Sequence, residues 1–262
     1  MNSGHEIQNA DPSLEDFRRA QWQRLEIGSY QSDIPLWLNL ASGYSGRVLE
    51  LGAGAGRVTF PLLEAGHEVT AVEADPEISE DLQAAADLRG LPLTVRNTRV
   101  EALSGGECDF DLLIGPMQFL HHLSPDTCRS ALARFVGTAG RLPTMAFAVL
   151  RDSDLYEGVF ELESLPDMVD SAGWVMSSRI RRLVVTETRI VIERLRETVS
   201  PSGKRELHRV CESLWRYRPG EIEGIFHDLG CRPVGSRRIP EEAETIASEF
   251  LVFQPEDERS SP

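Results

Sequence analysis

Glycines at alternate positions form the part of the sequence best suited to binding a ligand. Gly52, Gly54 and Gly56 lie in the stretch ELGAGAGR, directly after a short apolar run that ends at Leu51. Because these positions lack β-carbons, a ligand can lie directly against the backbone. The apolar run predicts a buried strand and the residues from Val58 a helix, whose first N–H groups point at the bound molecule. The stretch therefore predicts a turn that binds a carboxylate or a sugar oxygen.

Two carboxylates accompany this turn. Glu50 precedes the first glycine, and Glu73 follows Gly56 by 17 positions (73 − 56). Glu73 comes after the next predicted strand, Glu68 to Val72, where a carboxylate can accept hydrogen bonds from both hydroxyls of a ribose. A solvated loop acid is the alternative interpretation of Glu73. The spacing also suits a dinucleotide, but the third glycine of that pattern would fall on Arg57, which disfavours a nicotinamide-dependent oxidoreductase.

A pair of histidines follows the predicted fourth strand, in the stretch DFDLLIGPMQFLHHL. Met117, Gln118, His121 and His122 all fall at the carboxyl edge of the predicted sheet, where open α/β sheets bind ligands. Histidine side chains titrate near neutral pH, so His121 or His122 can serve as a general base. Since adjacent helical positions point about 100° apart, at most one of them faces the cleft. A helix-capping or surface role is the alternative for either histidine.

The acidic-x-Gly-x-Gly-x-Gly arrangement resembles motif I of class I S-adenosylmethionine (SAM)-dependent methyltransferases, and the similarity covers about residues 30–150. The resemblance implies that Glu50 places the methionine part of SAM and that Gly52 and Gly54 contact it through their backbone. It also implies that Glu73 binds the ribose and that Ala74 lines the adenine. The predicted cofactor-binding residues are Tyr30, Glu50, Gly52, Gly54, Arg57, Glu73, Ala74, Thr98, Arg99 and Gly115.

Four of the predicted residues lie outside the glycine turn and the end of the second strand. Thr98 stands where relatives usually have an Asp, so backbone groups of Thr98 and Arg99 would hold the adenine, with ordinary loop chemistry as the alternative. Gly115 would lie beneath the sulfonium and allow close approach of the backbone. Tyr30, in GSYQSDIP, looks like a residue of the helical lid that such enzymes close over SAM. Packing in the core is the alternative for Tyr30.

Strands alternate with helices from Arg47 to Leu150, which predicts an α/β fold with a doubly wound, mostly parallel, seven-stranded Rossmann-like sheet. After Leu150 the sequence is rich in β-forming residues, including separate predicted strands at Val175 to Ser178 and Leu183 to Thr186. An antiparallel β insertion therefore follows the fifth strand. The predicted organisation is a helical lid segment at 1–42, a SAM-binding core at 43–150, the insertion at 151–217, the last helix and two strands at 218–254, and a disordered tail at 255–262.

The charge and cysteine content limit the partners. With 27 Lys and Arg against 42 Asp and Glu, a net charge of −15 disfavours nucleic acid as a substrate. The basic stretch Arg179 to Arg182 and the arginines after it are interleaved with glutamates, which favours a mixed solvated face over a phosphate site. No apolar run has the roughly 20 residues that a membrane span needs, and the start of the chain lacks the features of a signal peptide. Four scattered cysteines form no metal-binding pair and suggest a reducing compartment, so a cytoplasmic protein is predicted.

Together these features predict a SAM-dependent methyltransferase that acts on an oxygen or nitrogen of a small molecule by in-line displacement. S-adenosyl-L-homocysteine would be the product, His121 or His122 the base, and no metal would take part. A SAM-using enzyme that does not transfer methyl groups, or a SAM-binding module, is the alternative. The resemblance implies that the insertion roofs the acceptor pocket, and a homodimer contact is its other predicted role.

Overall fold

The computed structural model of the protein describes residues 19–103, 110–136, 142–155, 158–159, 168–241 and 245–256. Within these ranges no helix is long and apolar enough to cross a membrane. The helices are α1 (Arg19–Ile27), α2 (Ile34–Ala41), α3 (Thr59–Glu64), α4 (Pro76–Arg89), α5 (Pro125–Val136) and α6 (Glu221–Asp228). The strands are β1 (Val48–Leu51), β2 (Val69–Glu73), β3 (Leu93–Asn97), β4 (Leu112–Gly115), β5 (Thr144–Leu150), β6 (Gly158–Val159), β7 (Met168–Val169), β8 (Val175–Val185), β9 (Arg189–Val199), β10 (Arg205–Trp215), β11 (Cys231–Ile239) and β12 (Ser248–Pro255).

Seven strands form the central sheet, in the order β11-β12-β5-β4-β1-β2-β3. Strands β1 to β5 pair in parallel, whereas β12 runs antiparallel to both β5 and β11. Every residue of β1, β4 and β5 is buried, because helices cover both faces of the sheet. The predicted fold class is confirmed. Because β1 pairs with β2 on one side and β4 on the other, a crevice is expected beyond its carboxyl end.

Successive residues of the central strands face opposite layers, as the pleat of a strand requires. On one face Leu113 packs with the side chains of α5 and α6, including Phe226, whose ring stacks on that of Phe253 at 3.9 Å between centroids. On the other face the neighbouring Leu112 packs with α2, α3 and α4, including Trp37. The sheet is therefore a fixed platform whose carboxyl edge presents β1, β2 and β4 side by side.

The predicted antiparallel insertion forms a second sheet in the order β10-β9-β8-β6, with β7 also paired to β8. Separate strands at Val175 to Ser178 and Leu183 to Thr186 are a wrong prediction, because β8 runs unbroken through both. A bulge between Ile180 and Arg182 shifts its register. The bulge changes which alternate residues face inward, so that Ile180 and Leu183 are both buried.

The division of the chain into the five predicted segments stays a prediction. The structure describes the predicted lid at 1–42 only from Arg19 onward and the predicted tail at 255–262 only as far as Glu256. Cys108 also lies outside the described residues, and the other three cysteines are free thiols.

Candidate active site

The glycine turn between β1 and α3 has the backbone geometry that its sequence predicts. Gly52 and Gly54 have positive φ angles of 66° and 57°, which disfavour any residue with a side chain. A β-carbon at Gly52 would lie 2.6 Å from the ring of Phe119, and one at Gly54 would lie 2.6 Å from Oε1 of Gln23. The turn therefore needs glycine both for its conformation and for the close approach of its neighbours.

Glu73, at the end of β2, is hydrogen-bonded to this turn. Its Oε2 accepts a hydrogen bond from the backbone N–H of Gly54, and its Oε1 accepts one from the N–H of Asp75, each at 2.9 Å. Asp75 in turn accepts a hydrogen bond from the N–H of Glu77 at 3.0 Å and so caps α4. A carboxylate has about four lone-pair sites, so Glu73 keeps two for a ligand.

Glu50 lies at the carboxyl end of β1 and is 1% exposed. Its Oε2 accepts a hydrogen bond from Oγ1 of Thr59 at 2.7 Å. Burial raises the pKa of Glu50 to about 7, although the hydrogen bond from Thr59 and the nearby Arg57 act in the opposite direction. A bound cationic group would favour the charged form of this carboxyl group.

Arg57 lines the cavity and also forms a buried ion pair with Asp33. One of its nitrogens donates to Oδ2 of Asp33 at 2.9 Å, and another donates to the backbone oxygen of Tyr30 at 3.1 Å. The Asp33 carboxylate also accepts a hydrogen bond from the indole N–H of Trp37 at 2.8 Å. Arg57 therefore attaches the segment before α2, and α2 itself, to the glycine turn.

A cavity of about 760 Å³ lies between the carboxyl edge of the central sheet and the second sheet. Of the predicted site residues, those lining it are Glu50, Gly52, Gly54, Arg57, Glu73, Ala74, Thr98, Arg99 and His122. Tyr30 is buried, with its ring 5.0 Å below the Arg57 guanidinium, and is not among the described residues that line the cavity. This placement agrees with the core-packing alternative for Tyr30.

Gly115 is also not among the described residues that line the cavity. A glycine is required at this position because of packing inside the protein. A β-carbon there would lie 2.5 Å from the ring of Phe147 and 3.2 Å from that of Phe119. Two aromatic rings therefore explain why this position needs glycine. The predicted cofactor contact of Gly115 stays a prediction.

Thr98 and Arg99 line the cavity beyond β3, and the bonds that the structure shows for them are to other protein groups. The backbone N–H of Thr98 donates to the backbone oxygen of Glu73 at 3.0 Å, which fixes the loop to β2. Arg99 pairs with Glu101 at 3.0 Å. Their contact with an adenine stays a prediction.

His121 is buried and has a protein partner for each ring nitrogen. Its Nδ1 lies 2.8 Å from the backbone oxygen of Trp215, and its Nε2 accepts a hydrogen bond from the N–H of Leu150 at 2.9 Å. This pattern fits a neutral imidazole protonated at Nδ1. Burial lowers the pKa of His121 to about 4. His121 therefore joins the end of β5 to the end of β10, and no ring nitrogen is left for a substrate proton, which argues against its predicted catalytic role.

His122 differs from its neighbour in each of these respects. It is half-exposed, it lines the cavity, and its Nε2 lies 3.8 Å from Oε1 of Glu212 on β10. The turn Phe119–His122 is a 3₁₀ helix, in which side chains three residues apart lie on the same side. His122 thus follows the direction of Phe119, whose ring lies against Gly52.

The backbone before this turn has an uncommon conformation. Met117 and Gln118 have φ angles of 46° and 56°, in the left-handed region that side chains disfavour. Both residues line the cavity. The two left-handed residues turn the chain sharply after β4 and so orient the 3₁₀ helix that carries the histidines.

Helix α1 contributes a residue that the sequence did not single out. Oε1 of Gln23 is buried, faces Gly54 and has no hydrogen-bond partner within the described ranges. Glu26 of the same helix accepts hydrogen bonds from Arg196 at 2.7 and 2.8 Å and from Ser178 at 2.8 Å. Arg196 is therefore not part of a solvated basic face, because it binds α1 to the second sheet.

Comparison with known proteins agrees with this architecture. Residues 48–138 match the family model for a methyltransferase domain. A ubiquinone biosynthesis O-methyltransferase from Methylocella silvestris is 35% identical over 114 residues, which cover 40% of this chain and 44% of that protein. The matched region thus spans less than half of that relative's own length.

Two solved structures are similar over nearly the whole chain. The sugar N-methyltransferase KedS8 from Streptoalloteichus sp has a TM-score of 0.67 at 12% identity, and the match covers 98% of this chain and 99% of that one. The SAM-bound amino pentose methyltransferase CalS10 from Micromonospora echinaspora has a TM-score of 0.65 at 14% identity, covering 95% and 100%. At these identities the likeness shows the fold. With the domain match, it confirms the resemblance to class I SAM-dependent methyltransferases.

Proposed function

We propose that this protein is a SAM-dependent methyltransferase that methylates an oxygen or nitrogen of a small molecule. The single observation that carries the proposal is the arrangement of Glu73, Gly54 and Asp75 at the rim of the cavity, with Glu50 buried beside it. A carboxylate and a backbone turn without side chains thus lie next to each other, which supports the binding of a ribose and an amino-acid chain.

The residues around the cavity fit SAM by their chemistry. Glu73 has free lone pairs for the ribose hydroxyls, while the buried Glu50 and the unpaired Gln23 oxygen are acceptors for an ammonium group. When bound, SAM supplies a methyl group activated by a positively charged sulfur. Because the carbon is already activated, the protein's chief task is alignment, which can lower a barrier by about 7–11 kcal/mol.

His122 is the residue that we assign to proton acceptance. It lines the cavity on the acceptor side, and its imidazole is half-exposed, so a substrate can reach it. General-base catalysis of this kind contributes about 10²- to 10⁴-fold. His121 would act only by positioning, because its two ring nitrogens hold Leu150 and Trp215.

A small-molecule acceptor is supported by the size of the cavity. The second sheet covers the carboxyl edge with side chains of β8, β9 and β10, which limits the space to about 760 Å³. The names of the similar proteins also point to small acceptors, namely a sugar and an amino pentose. The cytoplasmic location, the absence of a nucleic-acid partner and the homodimer remain predictions from the sequence.

Calorimetric titration with SAM and S-adenosylhomocysteine tests the proposal. We expect both to bind, and Glu73→Ala to weaken binding by about 10- to 100-fold, because two charge-assisted hydrogen bonds to the ribose are lost. Glu80→Gln, at an exposed site on α4, is the matched control. A screen of metabolite pools should then show a mass gain of one CH₂ with release of S-adenosylhomocysteine. Release of methylthioadenosine would identify the non-methylating alternative, and absence of SAM binding would refute the proposal.

A further inference from the structure

The second sheet places one carboxylate beside apolar side chains of the cavity wall, with Arg194 on the same face of the sheet. Glu212 lies on β10 opposite Ile192 of β9, and its neighbours on the same side of β10 are Val210 and Leu214. The wall continues through Leu150, Ile180 and Ile246. The Glu212 side chain is 45% exposed, so a ligand in the cavity can reach its carboxylate. Glu212 therefore offers a hydrogen-bond acceptor to a ligand that carries a cationic group on an apolar body.

Other acids of the cavity already have cationic or backbone partners. Glu26 pairs with Arg196, Glu101 pairs with Arg99, and Glu73 accepts two backbone N–H groups. Within the described part of the chain, Glu212 has a single ion pair, with His122 at 3.8 Å, and its carboxylate accepts no hydrogen bond. The separation exceeds hydrogen-bond distance, so a donor group can approach the carboxylate beside the imidazole.

This pair lies close to the predicted site of methyl transfer. His122 ends the 3₁₀ turn that begins at Phe119, and Phe119 lies against Gly52 of the cofactor turn. One 3₁₀ turn spans about 6 Å, so His122 lies about one turn from the ring that contacts the cofactor turn. Glu212 and His122 therefore face the acceptor side of the cavity and not the adenosine side.

Resting on the proposed methyltransferase function, we propose that Glu212 and His122 form the recognition site for an amine on an acceptor with an apolar ring or chain. The Glu212 carboxylate accepts hydrogen bonds from the ammonium group. The proton then passes from the ammonium nitrogen to a ring nitrogen of His122 and from there to solvent. The freed lone pair on nitrogen forms the new N–CH₃ bond, while the electron pair of the broken S–CH₃ bond stays on sulfur.

Cyclohexylamine and cyclohexanol test this inference, because they share a ring and differ in the polar group. Each is titrated into the protein saturated with S-adenosylhomocysteine, and binding is measured by calorimetry. We expect the amine to bind about three- to fivefold more tightly than the alcohol, as a half-exposed ion pair allows. Glu212→Gln should abolish this preference, and Glu212→Asp should retain part of it.

Glu206→Gln is the matched control, because Glu206 lies on the same side of β10 and pairs with Lys204 outside the cavity. It should keep the full preference for the amine. Equal binding of amine and alcohol to the unaltered protein, or unchanged amine binding by Glu212→Gln with intact S-adenosylhomocysteine affinity, would overturn the inference. Failure of S-adenosylhomocysteine to bind the unaltered protein would instead overturn the methyltransferase proposal.

Discussion

The two ends of the cavity are built by different means. At the central sheet, the ligand surface is mostly backbone, with positive φ angles at Gly52 and Gly54 and a carboxylate held by N–H groups. At the second sheet, the surface consists of side chains projecting from three long antiparallel strands. A binding surface made of backbone is lost when a side chain is added to it. Side chains on strands can be replaced while the hydrogen bonds between the strands remain. We infer that the cofactor end of the cavity tolerates few substitutions, whereas the residues of the acceptor end can be exchanged without loss of the fold.

The same contrast separates the two adjacent histidines. His121 uses both ring nitrogens to hold the two sheets together, whereas His122 presents its imidazole to the cavity. His121 therefore belongs to the framework, by which we mean the residues that hold the two sheets and the glycine turn in place. His122 belongs to the exchangeable surface of the acceptor end.

The largest expected effect comes from breaking the framework at Arg57. Arg57→Leu should lower the free energy of unfolding by about 3–5 kcal/mol, because the buried Asp33 carboxylate loses its cationic partner. Urea unfolding measures the change, and adding Asp33→Asn should recover part of it. Arg218→Leu removes an exposed pair with Glu187 and should change stability by less than about 1 kcal/mol. Similar losses in the two variants would contradict the buried-pair assignment.

Replacing the histidines separately tests the division between framework and surface. His121→Ala should lower the free energy of unfolding by about 2–3 kcal/mol, because the Leu150 N–H and the Trp215 oxygen lose their partner. His122→Ala should change it by less than about 0.5 kcal/mol and yet reduce turnover about 100-fold. Chemical unfolding and a methyl-transfer assay measure both quantities. An unchanged turnover in His122→Ala would remove that residue from the mechanism.

The pH dependence of stability separates Glu50 from His121. Burial raises the pKa of Glu50 from 4.5 to about 7, so between these values the folded state binds the extra proton and stability falls as pH rises. Burial lowers the pKa of His121 from 6.5 to about 4, so in that window the unfolded state binds the extra proton and stability rises with pH. The two contributions oppose each other between about pH 4.5 and 6.5.

Single variants should reveal these opposed contributions. Relative to the unaltered protein, the stability of Glu50→Gln should rise with pH by up to about 1.4 kcal/mol per pH unit, because only His121 then contributes. His121→Gln should show the reverse slope of similar size. Urea unfolding at several pH values from 4.5 to 6.5 measures both slopes. Parallel curves for the two variants would contradict the assigned shifts.

The smallest expected effect concerns the attachment of α1 to the second sheet. Glu26→Gln should weaken SAM binding by about threefold to fivefold, because α1 loses its ion pair with Arg196 and holds Gln23 less firmly over Gly54. Glu187→Gln, at an exposed pair, serves as the control. Faster amide hydrogen exchange in α1 should accompany the weaker binding. Unchanged exchange would show that the apolar contacts of α1 and its ion pairs with Asp75 and Asp81 hold the helix without Glu26.

Much of the fold is predictable from the sequence because its signals are local. The ends of α4 have local signals, a proline at its first position and a left-handed glycine after its last, and apolar spacing defines α2. The unbroken β8 was missed because the bulge at Ile180 shifts the phase of its alternation, which imitates two short strands.

The residues of the site could be predicted where they lie in one continuous segment of the chain. They could not be predicted where segments distant in sequence come together. The glycine turn and Glu73 follow from a single strand-turn-helix unit and its neighbour. Glu212 and Gln23 reach the cavity only through the packing of the second sheet and α1, which no local pattern records. The direction of His121 and His122 depends on the left-handed residues before them, and a uniform helical spacing could not reveal it.

The strained turn at Met117 and Gln118 links two properties on which selection acts in opposite directions, the stability of the fold and the rate of turnover. Left-handed backbone costs about 1–3 kcal/mol for each residue with a side chain, and glycine at either position would relieve it. Glycine would also free the turn that aims His122 and would remove a side chain from the cavity wall. Selection for thermostability should therefore enrich glycine at these two positions, and selection for turnover should purge it.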